Sequence, residues 1–411
     1  MRARLTISAV VFVAALAALA IVHARWISCA PRDPRFVRFM RRNNLRANAN
    51  EVIPERGKAL DRRGCQLDIA EAGSTFQKVI DELQLASGAP VPLTIDADLQ
   101  AKAESLMEGK LGAVVALEPA TGRIRALVNA PRAAYLNRAL NGLYPPGSTF
   151  KVFMAAAALS ANVDPVFDCP AAGWRPNRST PPIRDSEVAE FARRRKAWKG
   201  FGRIGMSEAM VHSANTYFAQ LGYALGAERF DAAVAAARLR DSATVLAANT
   251  VSLTGAGGGV PDGASAATLA PLAIGQGALQ LTPLGVSLLT AAVADDGLIL
   301  APTLSEAAKP TLRARPFTFA AAQRVKKMMR AAVRRGTGKV CDIPGLEVCG
   351  KTGTAQTGKG ADHAWFTCFA PAASPRLVVT VLVEGGGFGA RSAAPVARGI
   401  LLEAQRLGYF R

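Results

Sequence analysis

The 411-residue sequence lacks the motifs by which several common enzyme classes are recognised. It contains no G-x-S-x-G or H-E-x-x-H segment, no cysteines at C-x-x-C spacing, and only three scattered histidines. A zinc site and a histidine-based triad therefore have poor support. The sequence also has no internal repeat and no long low-complexity tract.

Acidic residues are scarce relative to basic ones. Lys and Arg number 50 and Asp and Glu 31, a formal net charge of +19. This excess fits an anionic partner, whether nucleic acid, phospholipid headgroups or an acidic wall polymer, and equally a compositional bias toward Arg and Ala. Half of the residues are hydrophobic and a fifth are charged, which excludes disordered, collagen-like and coiled-coil chains. The length suggests two or three domains of ~150 residues.

One long apolar run occurs near the N-terminus. Leu5 to Val22 contains no charge and follows Arg2 and Arg4. As a helix it would extend ~27 Å, close to the ~30 Å hydrocarbon core of a bilayer and longer than most cleaved signals. We expect an uncleaved anchor with the remaining chain exported, although the arginines after it oppose the positive-inside tendency. The predicted division is residues 1–24 as cytoplasmic tip and anchor, 25–90 as juxtamembrane arm and reduced N-terminal pedestal, and 91–411 as the main domain.

The six cysteines of an exported chain can form disulfides, because such compartments are oxidising. Cys341 and Cys349 flank the turn signal Pro344-Gly345. We hypothesise a bridge between them across a short hairpin. The alternative is that both are small buried residues.

Strand and helix patterns follow an order typical of a mixed fold. The strand candidates are Ala113–Leu117, Ile124–Val128, Glu347–Gln356, His363–Phe369 and Leu377–Val383. The clearest helix candidates are Ala97–Met107 with Asp96 as its cap, Lys151–Leu159, and Pro395–Leu407. Two strands, a mostly helical middle, three strands and a final helix imply an α+β or α/β domain built on one antiparallel sheet.

The first candidate for chemistry is the S-x-x-K segment Ser148 to Lys151. A hydroxyl and an amine at i and i+3 lie on one face of a helix, and a serine needs a nearby base to become a nucleophile. A partly desolvated Lys151 would serve as that base, and a helix that begins at Ser148 would favour the developing alkoxide. Taken alone, an N-cap serine with an incidental lysine explains the segment better.

Two further segments have the residue types of an acyl-transfer site. Ser213-Ala214-Asn215, placed within a helical stretch, offers a hydroxyl and a carboxamide that can relay a proton and hold a substrate amide. Lys351-Thr352-Gly353-Thr354, on a candidate strand, offers a cation and hydroxyls for a carboxylate, beside a glycine that allows close backbone approach. Each has an ordinary alternative: a polar helix start or loop, and an edge strand.

A phosphate-loop pattern overlaps the third segment. Gly345 to Thr352 matches G-x-x-x-x-G-K-[ST], and an apolar strand ending in Glu384 offers a candidate acid for the metal side of such a site. A phosphate loop requires a following helix, whereas Gly353, Gly358 and Gly360 and then another strand follow here. We interpret the match as chance.

The three motifs in this order, S-x-x-K, S-x-N and K-T-G, resemble those of penicillin-binding transpeptidases and serine β-lactamases. The neighbouring sequence resembles the monofunctional, class B penicillin-binding proteins over residues 55 to about 405. The segments concerned are Tyr144–Lys151, Ser213–Phe218, Gly275–Gly277 with Thr282–Leu284, Gly350–Gln356, and Glu55–Gly57 with Asp61–Gly64.

This resemblance implies a five-stranded antiparallel sheet with flanking helices, an all-helical subdomain and one preceding transmembrane helix. It also implies that Ser148 is acylated, that Lys151 takes its proton, and that Ser213 and Asn215 line the cleft. Lys351, Thr352 and Thr354, beside Gly353, would bind the substrate carboxylate, and the N–H groups of Ser148 and Thr354 would form the oxyanion hole.

The implied activity is a serine-type D-Ala-D-Ala transpeptidase or carboxypeptidase acting on peptidoglycan stem peptides and inhibited by β-lactams. No cofactor, metal or nucleic acid is expected. We expect a single-pass protein of the plasma membrane with its catalytic domain outside, and cell-wall synthesis or division proteins as candidate partners. Residues 25–90 are short for a class B pedestal, which puts partner docking there in doubt, and no glycosyltransferase domain is expected. The alternatives are a serine β-lactamase, for which no E-x-x-L-N-type segment follows Ser213, and a penicillin sensor or scaffold without turnover.

Overall fold

The structure is a computed structural model that describes residues 59–65, 91–131, 136–247, 252–358 and 360–411. The predicted anchor at Leu5–Val22 and most of the predicted arm and pedestal lie outside these residues. Within the described ranges, no helix has both the length and the apolar character that crossing a membrane requires.

The elements follow the predicted order. The strands are β1 (Ala59–Leu60), β2 (Val91–Pro92), β3 (Gly112–Leu117), β4 (Ile124–Ala130), β5 (Phe167–Pro170), β6 (Gly200–Ile204), β7 (Ala243–Leu246), β8 (Ser252–Gly255), β9 (Ile299–Leu300), β10 (Leu312–Ala314), β11 (Cys349–Ala355), β12 (His363–Ala370) and β13 (Leu377–Val383). The helices are α1 (Ala97–Leu106), α2 (Arg138–Asn141), α3 (Lys151–Ser160), α4 (Glu187–Arg193), α5 (Met206–His212), α6 (Asn215–Leu225), α7 (Ala227–Ala236), α8 (Ala266–Ala273), α9 (Pro283–Ala294), α10 (Phe319–Arg335) and α11 (Gly389–Arg406). Two 3₁₀ turns cover Gly147–Phe150 and Lys339–Cys341.

A five-stranded antiparallel sheet forms the centre of the described domain, in the order β11-β12-β13-β3-β4. The early hairpin β3–β4 joins the three C-terminal strands where β13 pairs with β3, with Val381 opposite Val114. Helices α1 and α11 pack on one face and α9 on the other. Because both faces are covered, the whole of β13 is buried, and its sequence is apolar except for Thr380. The predicted antiparallel sheet and all five of its strands are confirmed.

A largely helical region packs on the α9 side of the sheet. Helix α10 contacts β11, α3 and α5, and α6 contacts α3 and α8. Helix α3 is buried at every position from Lys151 to Leu159. Its run of alanines lets neighbouring helices approach closely, and the ring of Phe153 in this helix stacks on that of Phe150, with the centroids 4.8 Å apart. This arrangement fixes the first turn of α3 between the sheet and the helices.

Two short segments on the N-terminal side of the domain form a helix cap and a turn. Asp96 caps α1 by accepting the N–H of Leu99, as predicted. The Asp61–Gly64 segment forms a turn in which Gly64 N–H donates to Asp61 O at 2.9 Å. Arg62 and Tyr409 both reach the Asp96 carboxylate, at 2.8 and 3.0 Å, which ties this turn to the end of the chain.

Helix α11 begins earlier than predicted, at Gly389 rather than Pro395. The sequence predicted this helix from the apolar, helical run that starts at Pro395. The true start is set by packing: a Cβ on Gly389 would lie 2.2 Å from Trp365 O and 2.4 Å from Gly353 O. The helix therefore begins where its backbone touches β11 and β12.

The hypothesised Cys341–Cys349 bridge is wrong. Both thiols are free and buried, and they lie against different helices. Cys341 Sγ contacts Ala394 O in α11 at 3.1 Å, and Cys349 Sγ contacts Lys326 O in α10 at 3.5 Å. The turn between them is not a hairpin that faces the two side chains toward each other, so the alternative, two small buried residues, is correct.

We predict that these two thiols resist alkylation in the folded protein. Burial raises the pKa of Cys341 and of Cys349 to about 12, and the thiolate is the reactive form. Iodoacetamide at mildly alkaline pH should modify the exposed Cys65 and should reach the buried pair only after denaturation. A non-reducing peptide map measures this, and a disulfide-linked peptide or native-state alkylation at either position would contradict it.

Candidate active site

Ser148 lies in the 3₁₀ turn Gly147–Phe150, which continues directly into α3. The Pro145-Pro146-Gly147 segment brings the chain there against the sheet. Gly147 has a φ of +53°, and a Cβ on it would lie 2.5 Å from Thr354 O in β11. Trp365 in β12 donates its indole N–H to Pro145 O at 3.0 Å. The serine is thus held at the N-terminal end of α3, close to β11, as the sequence predicted.

Lys151 is the first residue of α3 and is fully buried. Its Nζ donates to Ser213 O at 2.5 Å and to Asn215 Oδ1 at 2.7 Å. It also lies over the Phe218 ring, 5.5 Å from the centroid. The first two motifs of the sequence therefore meet at the Lys151 ammonium.

The Ser213-Ala214-Asn215 segment was expected within a helix, and the structure corrects this. Helix α5 ends at His212, Ser213 takes a left-handed conformation with φ +59°, and α6 begins at Asn215. A left-handed serine is uncommon and unfavourable. It turns the Ser213 carbonyl out of the helix toward Lys151, which supplies the partner that a C-terminal helix carbonyl needs.

Lys351 in β11 completes the convergence of the three motifs. Its side chain is fully buried, and Nζ donates to Ser213 Oγ at 2.8 Å and to Thr352 O at 3.0 Å. Lys151 Nζ lies 3.3 Å from the same Ser213 Oγ. One hydroxyl therefore lies between two buried lysine amines, which come from segments of the chain more than a hundred residues apart.

The electrostatics of the pair follow from its burial. Desolvation lowers the pKa of Lys151 to about 7, against the opposing effect of the Asp185 and Glu187 carboxylates. Desolvation, and then the charge of Lys151, lower the pKa of Lys351 well below its usual range, with Glu187 opposing. A lysine with a pKa near neutrality can exchange a proton during a reaction at neutral pH.

The polar residues predicted for the site line one cavity of about 870 Å³. These are Ser148, Ser213, Asn215, Thr352 and Thr354. The two lysines lie behind this surface, where no solvent reaches them. A cavity of this size admits a peptide end or a drug-sized molecule.

Gly353 has the role that the sequence suggested. A Cβ on it would lie 2.9 Å from Thr149 Cγ2 and 3.1 Å from Pro146 O. Only glycine lets the serine turn rest this closely on β11. Thr352, the residue before Gly353, donates its Oγ1–H to Thr337 Oγ1 at 2.7 Å. This bond fixes the Thr352 side chain at the cavity wall.

The phosphate-loop interpretation is excluded by the local fold. Gly350, Lys351 and Thr352 lie within strand β11, and β12 follows it rather than a helix. Glu384, the candidate metal-side acid, instead accepts hydrogen bonds from Arg138 and Tyr144 at 2.6 and 2.7 Å.

Three residues near the site gave no signal in the sequence. Asp185 is buried and accepts two hydrogen bonds from Thr216. The charge of Glu187 acts to raise the pKa of Lys151 and Lys351. Thr337 supports Thr352. They belong to the segment Arg184–Glu187 and to the loop after α10, where no spacing or periodicity distinguishes them from surface residues. Only their position in the fold identifies them.

Together, the antiparallel sheet, the helical region and the S-x-x-K, S-x-N and K-T-G residues at one cavity define an acyl-transfer enzyme with a serine nucleophile. The family comparison agrees: residues 112–402 match the penicillin-binding protein transpeptidase domain. The chain belongs to this family. The relatives that it matches are peptidoglycan D,D-transpeptidases, and D,D-transpeptidase is its class of activity.

Three known proteins illustrate the similarity. Peptidoglycan D,D-transpeptidase PbpA from Mycolicibacterium smegmatis is 32% identical, with 78% of this chain and 73% of that protein covered. The D,D-transpeptidase domain of a peptidoglycan glycosyltransferase from Eggerthella lenta superposes with a TM-score of 0.74 at 25% identity, covering 86% of this chain and 98% of that one. The penicillin G acyl-enzyme complex of penicillin-binding protein A from M. tuberculosis gives a TM-score of 0.66 at 28% identity, covering 80% and 84%.

The Gly275-Gln276-Gly277 loop contacts the serine turn and also reaches β11. Gly147 N–H donates to Gly275 O at 2.9 Å, and Gln276 Nε2 lies 3.5 Å from Thr354 O. A Cβ on Gly275 would lie 1.9 Å from Gly147 O. The two backbones are therefore in direct contact beside Ser148.

We predict that Gly275→Ala displaces the serine turn, whereas Gly277→Ala does not. Both glycines have positive φ, +76° and +74°, so alanine strains either backbone by ~1 kcal/mol. Only Gly275 has a backbone atom in the space of the new Cβ, since the nearest atom at Gly277 is 3.7 Å away. Penicillin acylation should fall at least ~100-fold for Gly275→Ala and change little for Gly277→Ala. Equal rates in the two variants would contradict this account of the loop.

Proposed function

We propose that this chain cross-links peptidoglycan stem peptides through an acyl-enzyme on Ser148. The observation that carries the proposal is the fully buried Lys151 amine, one helical turn from Ser148 and bonded to Ser213 O and Asn215 Oδ1. The relatives named as peptidoglycan D,D-transpeptidases and the penicillin G acyl-enzyme of a similar protein support it. The substrate is the D-Ala-D-Ala end of a stem peptide, and a β-lactam imitates it.

In the acylation step, neutral Lys151 takes the proton of the Ser148 hydroxyl as Oγ attacks the penultimate D-Ala carbonyl. The N–H groups of Ser148 and Thr354 stabilise the oxyanion that forms. Ser213 Oγ then gives its proton to the departing D-Ala nitrogen as the C–N bond breaks. Lys151, which carries the proton taken from Ser148 and lies 3.3 Å from Ser213 Oγ, restores that proton and becomes neutral again. Lys351 donates to the same hydroxyl and holds it in place.

In the second step, the amine of a neighbouring stem attacks the Ser148 ester. One amine proton passes to Lys151 or Ser213, the C–O bond to Ser148 breaks, and Oγ is reprotonated. The product is an amide cross-link and free enzyme. With water as the acceptor, the same steps give a carboxypeptidase reaction.

The substrate binds along the side of β11 that lines the cavity. Thr352 and Thr354 line the cavity and offer hydroxyls to the terminal carboxylate, while Asn215 holds the substrate amide. Lys351 is too deeply buried to meet the carboxylate directly. We therefore assign it a role through Ser213 rather than the direct contact that the resemblance implied.

The proposal extends to the segments before the catalytic domain. Residues 91–411 form the transpeptidase domain, residues 25–90 a short arm and pedestal, and residues 1–24 an anchor that holds the domain outside the plasma membrane. Proteins of cell-wall synthesis or division are its expected partners. This reaction requires no cofactor.

We predict that Ser148→Ala and Lys151→Ala each abolish labelling by fluorescent penicillin. The first removes the nucleophile and the second its base, so no adduct should form although circular dichroism shows a folded protein. Gln220→Ala, at a polar position on α6 outside the cavity, is the matched control and should label normally. Intact mass over time separates the alternatives: a stable adduct supports a transpeptidase, whereas rapid loss with antibiotic hydrolysis supports a β-lactamase. Labelling of either variant would remove that residue from its assigned role.

A stable adduct would also fit a penicillin sensor, so turnover needs its own measurement. The wild-type chain should release D-Ala from a pentapeptide stem and join the remaining stem peptide to an added amine. Acylation without any release of D-Ala would favour the sensor.

We predict that the acylation rate rises with pH and levels off above about pH 7. Burial lowers the pKa of Lys151 to about 7, and only its neutral form accepts the serine proton. Below this pKa the neutral fraction falls about tenfold per pH unit, and so should the rate. The measurement is the second-order rate of penicillin acylation at several pH values. A rate that is flat through neutrality, or that falls as pH rises, would exclude Lys151 as the base.

A further inference from the structure

The start of α6 depends on a residue from a distant segment. Its N-cap is Ala214, whose side chain cannot accept a hydrogen bond. The N–H groups in the first turn of a helix have no partner within the helix and need one from outside. Asp185, 31 residues earlier in the chain, accepts from Thr216 N at 3.1 Å and from Thr216 Oγ1 at 2.6 Å. Its residue exposure is only 4%, and that of Thr216 is zero.

The neighbouring residue fixes the orientation of the Asn215 amide. A lysine ammonium can only donate, so Asn215 must present its oxygen to Lys151. This leaves the Asn215 NH₂ group in need of an acceptor, and Arg184 O supplies it at 3.0 Å. Arg184 and Asp185 thus hold both the side chain of Asn215 and the helix turn that carries it.

We propose that Asp185 is a positioning residue for acyl transfer: it anchors the start of α6 so that Ser213 and Asn215 present their oxygens to Lys151. The inference rests on the proposed function. Asp185 borders the cavity, but both of its carboxylate oxygens face the residues around Thr216, so it acts through Lys151 rather than on the substrate.

The carboxylate also acts on Lys151 through its charge. The groups around this amine are Lys351 from β11, Asp185 and Glu187 from the 184–187 segment, and the neutral Asn215 and Phe218 from α6. Of these, the two carboxylates favour the ammonium form of Lys151. Removing the Asp185 charge should therefore make Lys151 easier to deprotonate. This effect is separable from the loss of hydrogen bonds.

The test measures penicillin acylation of the full-length chain across pH. Thr216→Val removes one hydrogen bond and keeps the charge, so its rate should fall ~10-fold while the rising limb of the pH profile stays in place. Asp185→Asn is nearly isosteric but uncharged, so its rate should fall and the limb should move to lower pH. Asp168→Asn, an exposed carboxylate in β5, is the matched control and should behave as wild type.

The outcomes separate this inference from the proposed function. If the wild-type chain is not acylated at Ser148, the proposed function fails whatever Asp185 does. If wild type is acylated and Asp185→Asn and Thr216→Val both have wild-type rates, the positioning role is overturned. A reduced rate for Asp185→Asn with an unmoved limb overturns the charge effect on Lys151. Should Asp185→Asn not fold by circular dichroism, Asp185→Glu decides: it keeps the charge and displaces the oxygens, so a reduced rate with an unmoved limb supports the role, and a wild-type rate overturns it.

Discussion

The site depends on burying two lysine amines around a single serine hydroxyl. Transfer of an unpaired ammonium into a protein interior costs several kcal/mol, and two close together repel each other. Here each amine donates to oxygen atoms, Lys151 to Ser213 and Asn215 and Lys351 to Ser213 and Thr352. These bonds reduce the penalty without removing it, because the pKa of Lys151 still falls to about 7. Since each pKa unit corresponds to about 1.4 kcal/mol, the fold holds this amine several kcal/mol closer to its neutral form than water does.

Close backbone contact is the second constraint, and it explains the glycines around the site. The serine turn touches β11 at Gly353 and at Gly147, and the 275–277 loop at Gly275. At each position a Cβ would meet another segment at 3.1 Å or less. The lysine contacts require this proximity, because a side chain of fixed length spans the distance only when the segments are in contact. The Ser213 conformation follows the same logic: the unfavourable left-handed φ persists because Lys151 and Lys351 both use the oxygens that it presents.

The sequence predicted the elements and the motifs well because each leaves a local pattern. Four of the five sheet strands are largely apolar runs between turns, the fifth, β11, contains the K-T-G motif, and Ser148, Lys151, Ser213, Asn215 and Lys351 stand in recognisable spacing. It failed where tertiary contacts decide. The break at Ser213 has no glycine or proline to announce it, and α11 starts at a backbone contact rather than at its proline. The Cys341–Cys349 bridge was inferred from a turn whose two sides face different helices. Asp185 is visible only after the fold brings the 184–187 segment against α6.

The same contacts bear on how long an acyl-enzyme lasts. Hydrolysis needs a base free to activate a water beside the ester, and in class A β-lactamases a carboxylate has this role. Among the described residues that line the cavity, the carboxylates are Asp185 and Asp362. Asp185 is committed to Thr216 through both oxygens, and Asp362 lies beyond the end of β11, just before β12 begins. In the proposed acyl-enzyme, the base left to accept a proton is then Lys151, whose amine donates to Ser213 O and lies 3.3 Å from Ser213 Oγ. An amine that arrives on a stem peptide brings its own nucleophilicity and needs only a proton acceptor, whereas water needs activation, so this arrangement favours cross-linking over hydrolysis.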